Sequence, residues 1–114
     1  MFRAIRFALP GLIVAGLGRM SATGRLPRNV FAGIRIPSTM RSDEAWRAGH
    51  HAAALALTAA GSGPVAVAIF AGAKRPGRGT EKLLFRIGTG WLLAWIGVAT
   101  FQANRAARDI DVPG

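Results

Sequence analysis

The residues from Ala52 to Ala73 run for 22 positions without a charge, and those from Ile87 to Ala103 for another 17. A helix rises about 1.5 Å per residue, so the first run reaches roughly 33 Å, enough for a hydrocarbon core of about 30 Å. The second attains a similar reach by taking in Leu83, Leu84 and Phe85 and letting Arg86 extend toward the headgroups. In a chain of 114 residues, two such runs predict one all-α membrane domain spanning residues 1–114.

A net charge of +10 invites a nucleic-acid reading, because basic domains collect phosphate by electrostatics alone. The placement of the charge argues against it. Arg3 and Arg6, Arg19 to Arg47, Lys74 to Arg86, and Arg105 with Arg108 all bracket apolar runs, as charge does around membrane spans and near anionic lipid. A soluble nucleic-acid-binding protein would strand two spanning-length helices in water. The chain has no cysteine, which excludes disulfides, thiolate metal sites and cysteine nucleophiles. The Ala-, Arg- and Gly-rich usage fits a GC-rich bacterial genome.

The first apolar run admits two readings. Phe7 to Gly18 has the length and basic preface of a signal-peptide core, with a loose small-residue match at Ser21-Ala22-Thr23-Gly24. Alternatively, residues 2–22 form a first span whose Arg3, Arg6 and Arg19 snorkel out at its ends. The span is the favoured reading. The expected architecture is an integral membrane bundle of three transmembrane helices near residues 2–22, 44–73 and 82–104, with a structured basic loop at 23–43.

Ser42 is a good N-cap for the second helix, and Asp43 and Glu44 in its first turn complement the helix dipole. Trp46 is expected at interface depth with its indole N–H wet. Ala48, Ala52, Ala56 and Ala60 fall four apart, as do Gly49, Ala53, Leu57 and Gly61, two small-residue stripes that let helices approach closely in lipid. Pro64 is expected to kink this helix or break it in two. Thr80 is a candidate cap for the third helix, which carries Gly88, Gly90 and Gly97 for packing and Trp91 and Trp95 on one face. Asn104 to Gly114 reads as a short polar tail.

Little here has the pattern of catalysis. Gly72 to Thr80 lacks the Lys-Ser/Thr pair and preceding strand of a phosphate-binding loop. His50 and His51 diverge by about 100° on a helix and cannot chelate one metal together, and no carboxylate lies four residues from either. No cofactor or metal is expected. Trp46 and His50, four apart, share a helix face. His50 is then either an interfacial histidine or a functional group, partnering Asn29 or Arg35 or gating near neutral pH. The loop arginines are by default a solvated set. Pro27, Gly33 and Pro37, however, restrict the loop enough to place Asn29 and Arg35 reproducibly. Asn29 can tie the backbone after Pro27 in an Asx turn, and Arg35 offers a planar fork suited to carboxylate or phosphate.

The stretch Gly24-x-x-Pro27-x-Asn29, then Gly33-Ile34-Arg35-x-Pro37-x-Thr39, then Ser42-x-x-x-Trp46 and His50 resembles the SdpI membrane family. That family is named for an immunity protein against a sporulation-delay toxin. The resemblance covers residues 24 to 50, with Ile36 where Thr is common, a slightly shifted acidic pair, and no counterpart to the extra N-terminal membrane half of the longer members. It implies a non-enzymatic, multi-span protein of the bacterial inner (plasma) membrane. In the best-understood member, resistance is joined to signalling through recruitment of a repressor to the membrane. The expected partners are therefore anionic lipid and a peptide toxin or regulatory protein, with no nucleic acid. The alternative is an accessory or structural subunit of a larger membrane complex. Eight cations on the first loop and tail against seven on the N-terminus and second connector do not fix orientation. The resemblance implies a cytoplasmic first loop.

Overall fold

The computed structural model describes residues 2–29 and 31–110. These form three α-helices and a single 3-10 turn, with no strand among the described residues: α1 (Phe2–Ala22), the turn at Thr39–Arg41, α2 (Asp43–Lys74) and α3 (Arg78–Arg108). All three helices are long and apolar enough to cross a membrane. At 32 and 31 residues, α2 and α3 exceed the hydrocarbon core, and the bundle is 57 Å long. Their ends therefore stand among headgroups.

Local chemistry sets the helix ends. The Ser42 hydroxyl accepts from the Ala45 N–H at 3.0 Å, capping α2. Gly24, at φ +69, ends α1 in the left-handed region that glycine enters without steric cost. Beside it the Arg25 N–H closes onto the Met20 carbonyl at 2.9 Å, as in a Schellman turn. Thr80 does not cap α3. Gly77 occupies the N-cap without a side-chain bond, and helix begins at Arg78, so Thr80 already lies in the first turn. The stretch from Asn104 is not a polar tail throughout, because α3 continues to Arg108. Its last four residues lie outside the described ones.

α2 is the central helix, packed along both α1 and α3. Its contact with α1 brings backbones together: a Cβ on Gly18 would lie 2.7 Å from the Thr58 nitrogen, and one on Gly11 would lie 2.7 Å from the Gly61 carbonyl oxygen. Gly49, Ala53, Leu57 and Gly61 are all buried, whereas of the other expected stripe Ala56 and Ala60 are buried and Ala52 is exposed. Pro64 does not break α2, which runs through it as one helix. On α3 the packing phase is Gly88, Ala99, Ala103 and Ala107, all buried. Gly90 and Gly97 face open space, so they take no part in packing within this chain, contrary to expectation.

The outside of the bundle is apolar. Leu55 is 84% exposed, Ile69 67% and Phe101 67%, an arrangement suited to lipid and costly in water. Both α1 and α3 run antiparallel to α2. The first loop therefore meets the C-terminal part of α3 at one end of the bundle, through Ser38 and Asn104. At the other end Arg3 pairs with Glu81 at 3.5 Å and Phe7 stacks on Phe85.

Candidate functional site

The first loop folds back over the start of α2 instead of hanging in solvent. Trp46, one turn into α2, is 1% exposed, and its indole N–H donates to the Leu26 carbonyl at 2.8 Å. The expectation that the indole N–H is wet is therefore corrected: the loop covers the ring and supplies the acceptor that water would have supplied. His50, one turn further on and also 1% exposed, lies against Trp46 with ring centroids 4.0 Å apart.

His50 ties the loop from within. Its Nε2 accepts the Ile34 backbone N–H at 2.9 Å, and its Nδ1 lies 2.8 Å from the Trp46 carbonyl. Because Nε2 must be the acceptor, Nδ1 carries the proton and donates to that carbonyl. Both ring nitrogens are thus used by backbone groups, where the sequence left open an interfacial histidine, a partner for Asn29 or Arg35, or a gate near neutral pH. Gly33 makes this approach possible. Its φ is +110, and a Cβ there would lie 2.8 Å from His50 Nε2 and 2.9 Å from the Trp46 ring.

Thr39, completely buried, takes up the next stretch of backbone. Its hydroxyl donates to the Ile34 carbonyl at 2.6 Å and accepts from the Ile36 N–H at 3.2 Å. Its methyl group faces Gly49 of α2. Ser38 donates to Asn104 Oδ1 of α3 at 2.6 Å, and Arg41 donates to the Ile110 carbonyl at 2.8 Å. Among the described residues, every buried side-chain nitrogen or oxygen has a partner. A net contribution of about 1 kcal/mol per bond is ordinary, whereas leaving one partner orphaned costs about 1–3 kcal/mol.

Asn29 stays within its own turn. Its Oδ1 accepts from the Phe31 and Ala32 N–H groups at 2.8 and 2.7 Å, and its Nδ2 donates to the Pro27 carbonyl at 2.7 Å. This Asx turn carries Phe31 at its crest, 88% exposed. Arg35 and Pro37 are exposed, on either side of the partly buried Ile36. The backbone leading into Arg35 is pinned by His50 and Thr39. Of the residues singled out in the sequence, the fold therefore brings the partly buried Gly33 against the buried pair Trp46 and His50. Asn29 and Pro27 lie in a neighbouring turn, and Gly24 in the helix stop. Thr39, Leu26 and the Ser38–Asn104 pair are equally part of this architecture. Only Thr39 had a signal in the sequence, as the last position of the Gly-Ile-Arg-x-Pro-x-Thr stretch.

Above the buried indole lies an open depression of about 550 Å³, bordered by Arg25, Pro27, Arg28, Asp43 and Arg47. Arg28 pairs with Asp43 at 3.2 Å and also donates to the Met40 carbonyl at 3.1 Å. Three guanidinium groups around one carboxylate leave the depression positive, and its chemistry is that of binding an anion.

Residues 25–102 match the family model described as the SdpI/YfhL protein family. No curated protein and no solved structure matches the chain. The match takes in the folded loop, all of α2 and most of α3, so the chain, a multi-pass membrane protein by its three helices, belongs to the SdpI/YfhL protein family.

Proposed function

We propose that this chain is a non-enzymatic immunity and signalling module of the bacterial plasma membrane, and that its first loop is a prefolded basic docking surface. Membership of a family named for an immunity protein supports the immunity-type role. The observation that carries the docking role is the division of labour between the loop and the first turns of α2. Trp46, His50 and Thr39 order the loop from inside, while Arg25, Arg28 and Arg47 border an open depression outside. A preordered surface binds with less conformational entropy to lose than a flexible linker. Its partner carries negative charge: an acidic segment of a peptide toxin, a cytoplasmic regulator, or anionic lipid.

Deleting the gene and challenging cells with membrane-active peptide toxins tests this reading. Sensitivity should appear, be rescued by the wild-type chain, and not be rescued by a variant carrying Arg25→Gln, Arg28→Gln and Arg47→Gln that accumulates normally. A deletion strain as resistant as its parent to every toxin would remove the immunity role.

One observation favours the second reading, an accessory subunit of a larger membrane complex. Gly90 and Gly97, seven residues apart on α3, are exposed with open space around them, and small residues suit close approach of another helix. Purification in fixed stoichiometry with other chains would support that reading.

A further inference from the structure

A second cleft lies at the end of the bundle opposite the folded loop, between the N-terminal half of α1 and the C-terminal half of α2. These helices are pinched together at Gly11, where an added Cβ would lie 3.0 Å from that of Pro64. Beyond this point they no longer fill the space between them, because Ala4, Ala8, Ala68 and Gly72 present little side-chain volume. The result is a cleft of about 700 Å³ walled by Ala8, Leu12, Val65, Ala68 and Gly72. From Val65 to Gly72 it runs about 10 Å along the helix axis, within the depth of one leaflet of roughly 15 Å. Leu12 and Ile69 on its edges are 53% and 67% exposed, so it opens sideways toward hydrocarbon.

The mouth is ionic. Arg3, Arg75 and Glu81 line it, with Glu81 paired to Arg3 at 3.5 Å. Arg75 sits at the C-cap of α2 in a left-handed conformation, φ 44, that non-glycine residues seldom adopt. Its N–H closes onto the Ala71 carbonyl at 3.0 Å. The backbone thus turns sharply at the residue that borders the mouth.

We propose that this cleft holds one acyl chain of an anionic phospholipid, with the phosphate taken at the mouth by Arg75 and Arg3. Within a bilayer an unfilled apolar cleft open to the side is filled by hydrocarbon. Two guanidinium groups against one carboxylate leave the mouth positive and make an anionic headgroup the complementary one. Alanine and glycine make up much of the wall, which leaves room for a flexible chain. This site is independent of the loop at the other end.

The test uses the full chain, delipidated in neutral detergent, with dioleoyl phosphatidylglycerol and dioleoyl phosphatidylcholine as probes. Phosphatidylglycerol should raise the melting temperature by about 4 °C more than phosphatidylcholine, since a ligand of the native state alone stabilises it. Native mass spectrometry should retain one phosphatidylglycerol per chain. A Cβ on Gly72 meets nothing within 4 Å, so Gly72→Leu should fold with an unchanged or higher lipid-free melting temperature while losing the adduct. Arg75→Gln should keep lipid binding but lose the preference for phosphatidylglycerol. Equal shifts by the two lipids, or an adduct that survives Gly72→Leu, would overturn the proposal. Full stabilisation by glycerol phosphate alone would also overturn it, as would a lipid-free dimer abolished by Gly72→Leu, which would make the occupant a second copy of this chain.

Discussion

The indole N–H of Trp46 donates to the carbonyl of Leu26, twenty residues earlier in the chain, at 2.8 Å in a fully buried setting. This bond clamps the residue where the chain leaves α1 to the first turn of α2, so the intervening segment must fold over the bundle end. Trp46→Phe keeps most of the ring volume and removes the donor. The orphaned Leu26 carbonyl should then cost about 1–3 kcal/mol, read as a lower melting temperature in detergent. Limited trypsinolysis should at the same time open the loop after Arg25 and Arg28.

Gly33 and Gly24 both adopt positive φ, for different reasons, and substitution should separate them. At Gly24, φ is +69 and an added Cβ meets nothing, so Gly24→Ala bears only the left-handed backbone penalty, about 1–2 kcal/mol. At Gly33, φ is +110 and the Cβ would strike His50 and Trp46. Gly33→Ala should therefore lose the Ile34–His50 bond as well, with a total cost of about 2–4 kcal/mol. Comparing the melting temperatures and trypsin sensitivity of the two variants checks the order.

The helices and the Asx turn were legible because their signals are local. An uncharged run of spanning length, a Ser before two acids, and an Asn two residues after a Pro each carry their physics within a few positions. The loop's folding was not. A Trp at the start of an apolar helix has the same local signature whether it meets headgroups or a covering loop, and only the acceptor at Leu26 distinguishes the two. The contact of Ser38 with Asn104, 66 residues away, had no local trace at all. Two of the three α3 glycines mislead for a related reason, while Gly88 packs as its sequence position suggests. Gly90 and Gly97 look like packing residues, yet the face that meets α2 is set by the four-residue spacing of Ala99, Ala103 and Ala107.

The α1–α2 contact depends on backbone approach. A Cβ on Gly61 would collide with the Gly11 carbonyl and with Ala15, and Ala56 is 3% exposed. Gly61→Leu and Ala56→Leu should each lower stability by about 1–3 kcal/mol through overpacking. Gly97→Leu, facing open space, should leave the isolated chain's melting temperature unchanged. Equal behaviour of Gly61→Leu and Gly97→Leu would mean that α1 and α2 do not pack in the membrane, and equal behaviour of Ala56→Leu and Gly97→Leu would mean that the core around Ala56, Ala99 and Ala103 does not form there.

Topology is best read from residues at the two bundle ends. Ser38 is 6% exposed and bonded to Asn104, so it would report burial instead of sidedness. Phe31 is 88% exposed at the crest of the loop, and Gly77 lies in the exposed connector between α2 and α3. With a cytoplasmic first loop, Gly77→Cys should react with an impermeant thiol reagent in intact cells. Phe31→Cys should react only after permeabilisation, and Ser62→Cys, within the second span, in neither case. The reversed labelling pattern would invert the orientation.

Arg35 and Arg41 separate recognition from ordinary surface charge. Arg35 is exposed between two anchored neighbours: Ile34, whose N–H and carbonyl are both taken by buried side chains, and Ile36, packed against the core. Its backbone is consequently held in place, and arginine, unlike lysine, carries a planar fork able to present two parallel donors to a carboxylate or phosphate. Arg41 donates to the Ile110 carbonyl at an exposed site, a contact in which a lysine can also donate. Arg35→Lys preserves charge and removes the fork. It should reduce the resistance or signalling phenotype restored by the wild-type chain, while Arg41→Lys restores it fully and both proteins accumulate to wild-type levels. The same comparison at raised salt is informative, because a purely electrostatic loop weakens with screening regardless of which cation it carries. If the two variants rescue equally at every ionic strength, the loop acts through its summed charge and the geometry at Arg35 has no part in recognition.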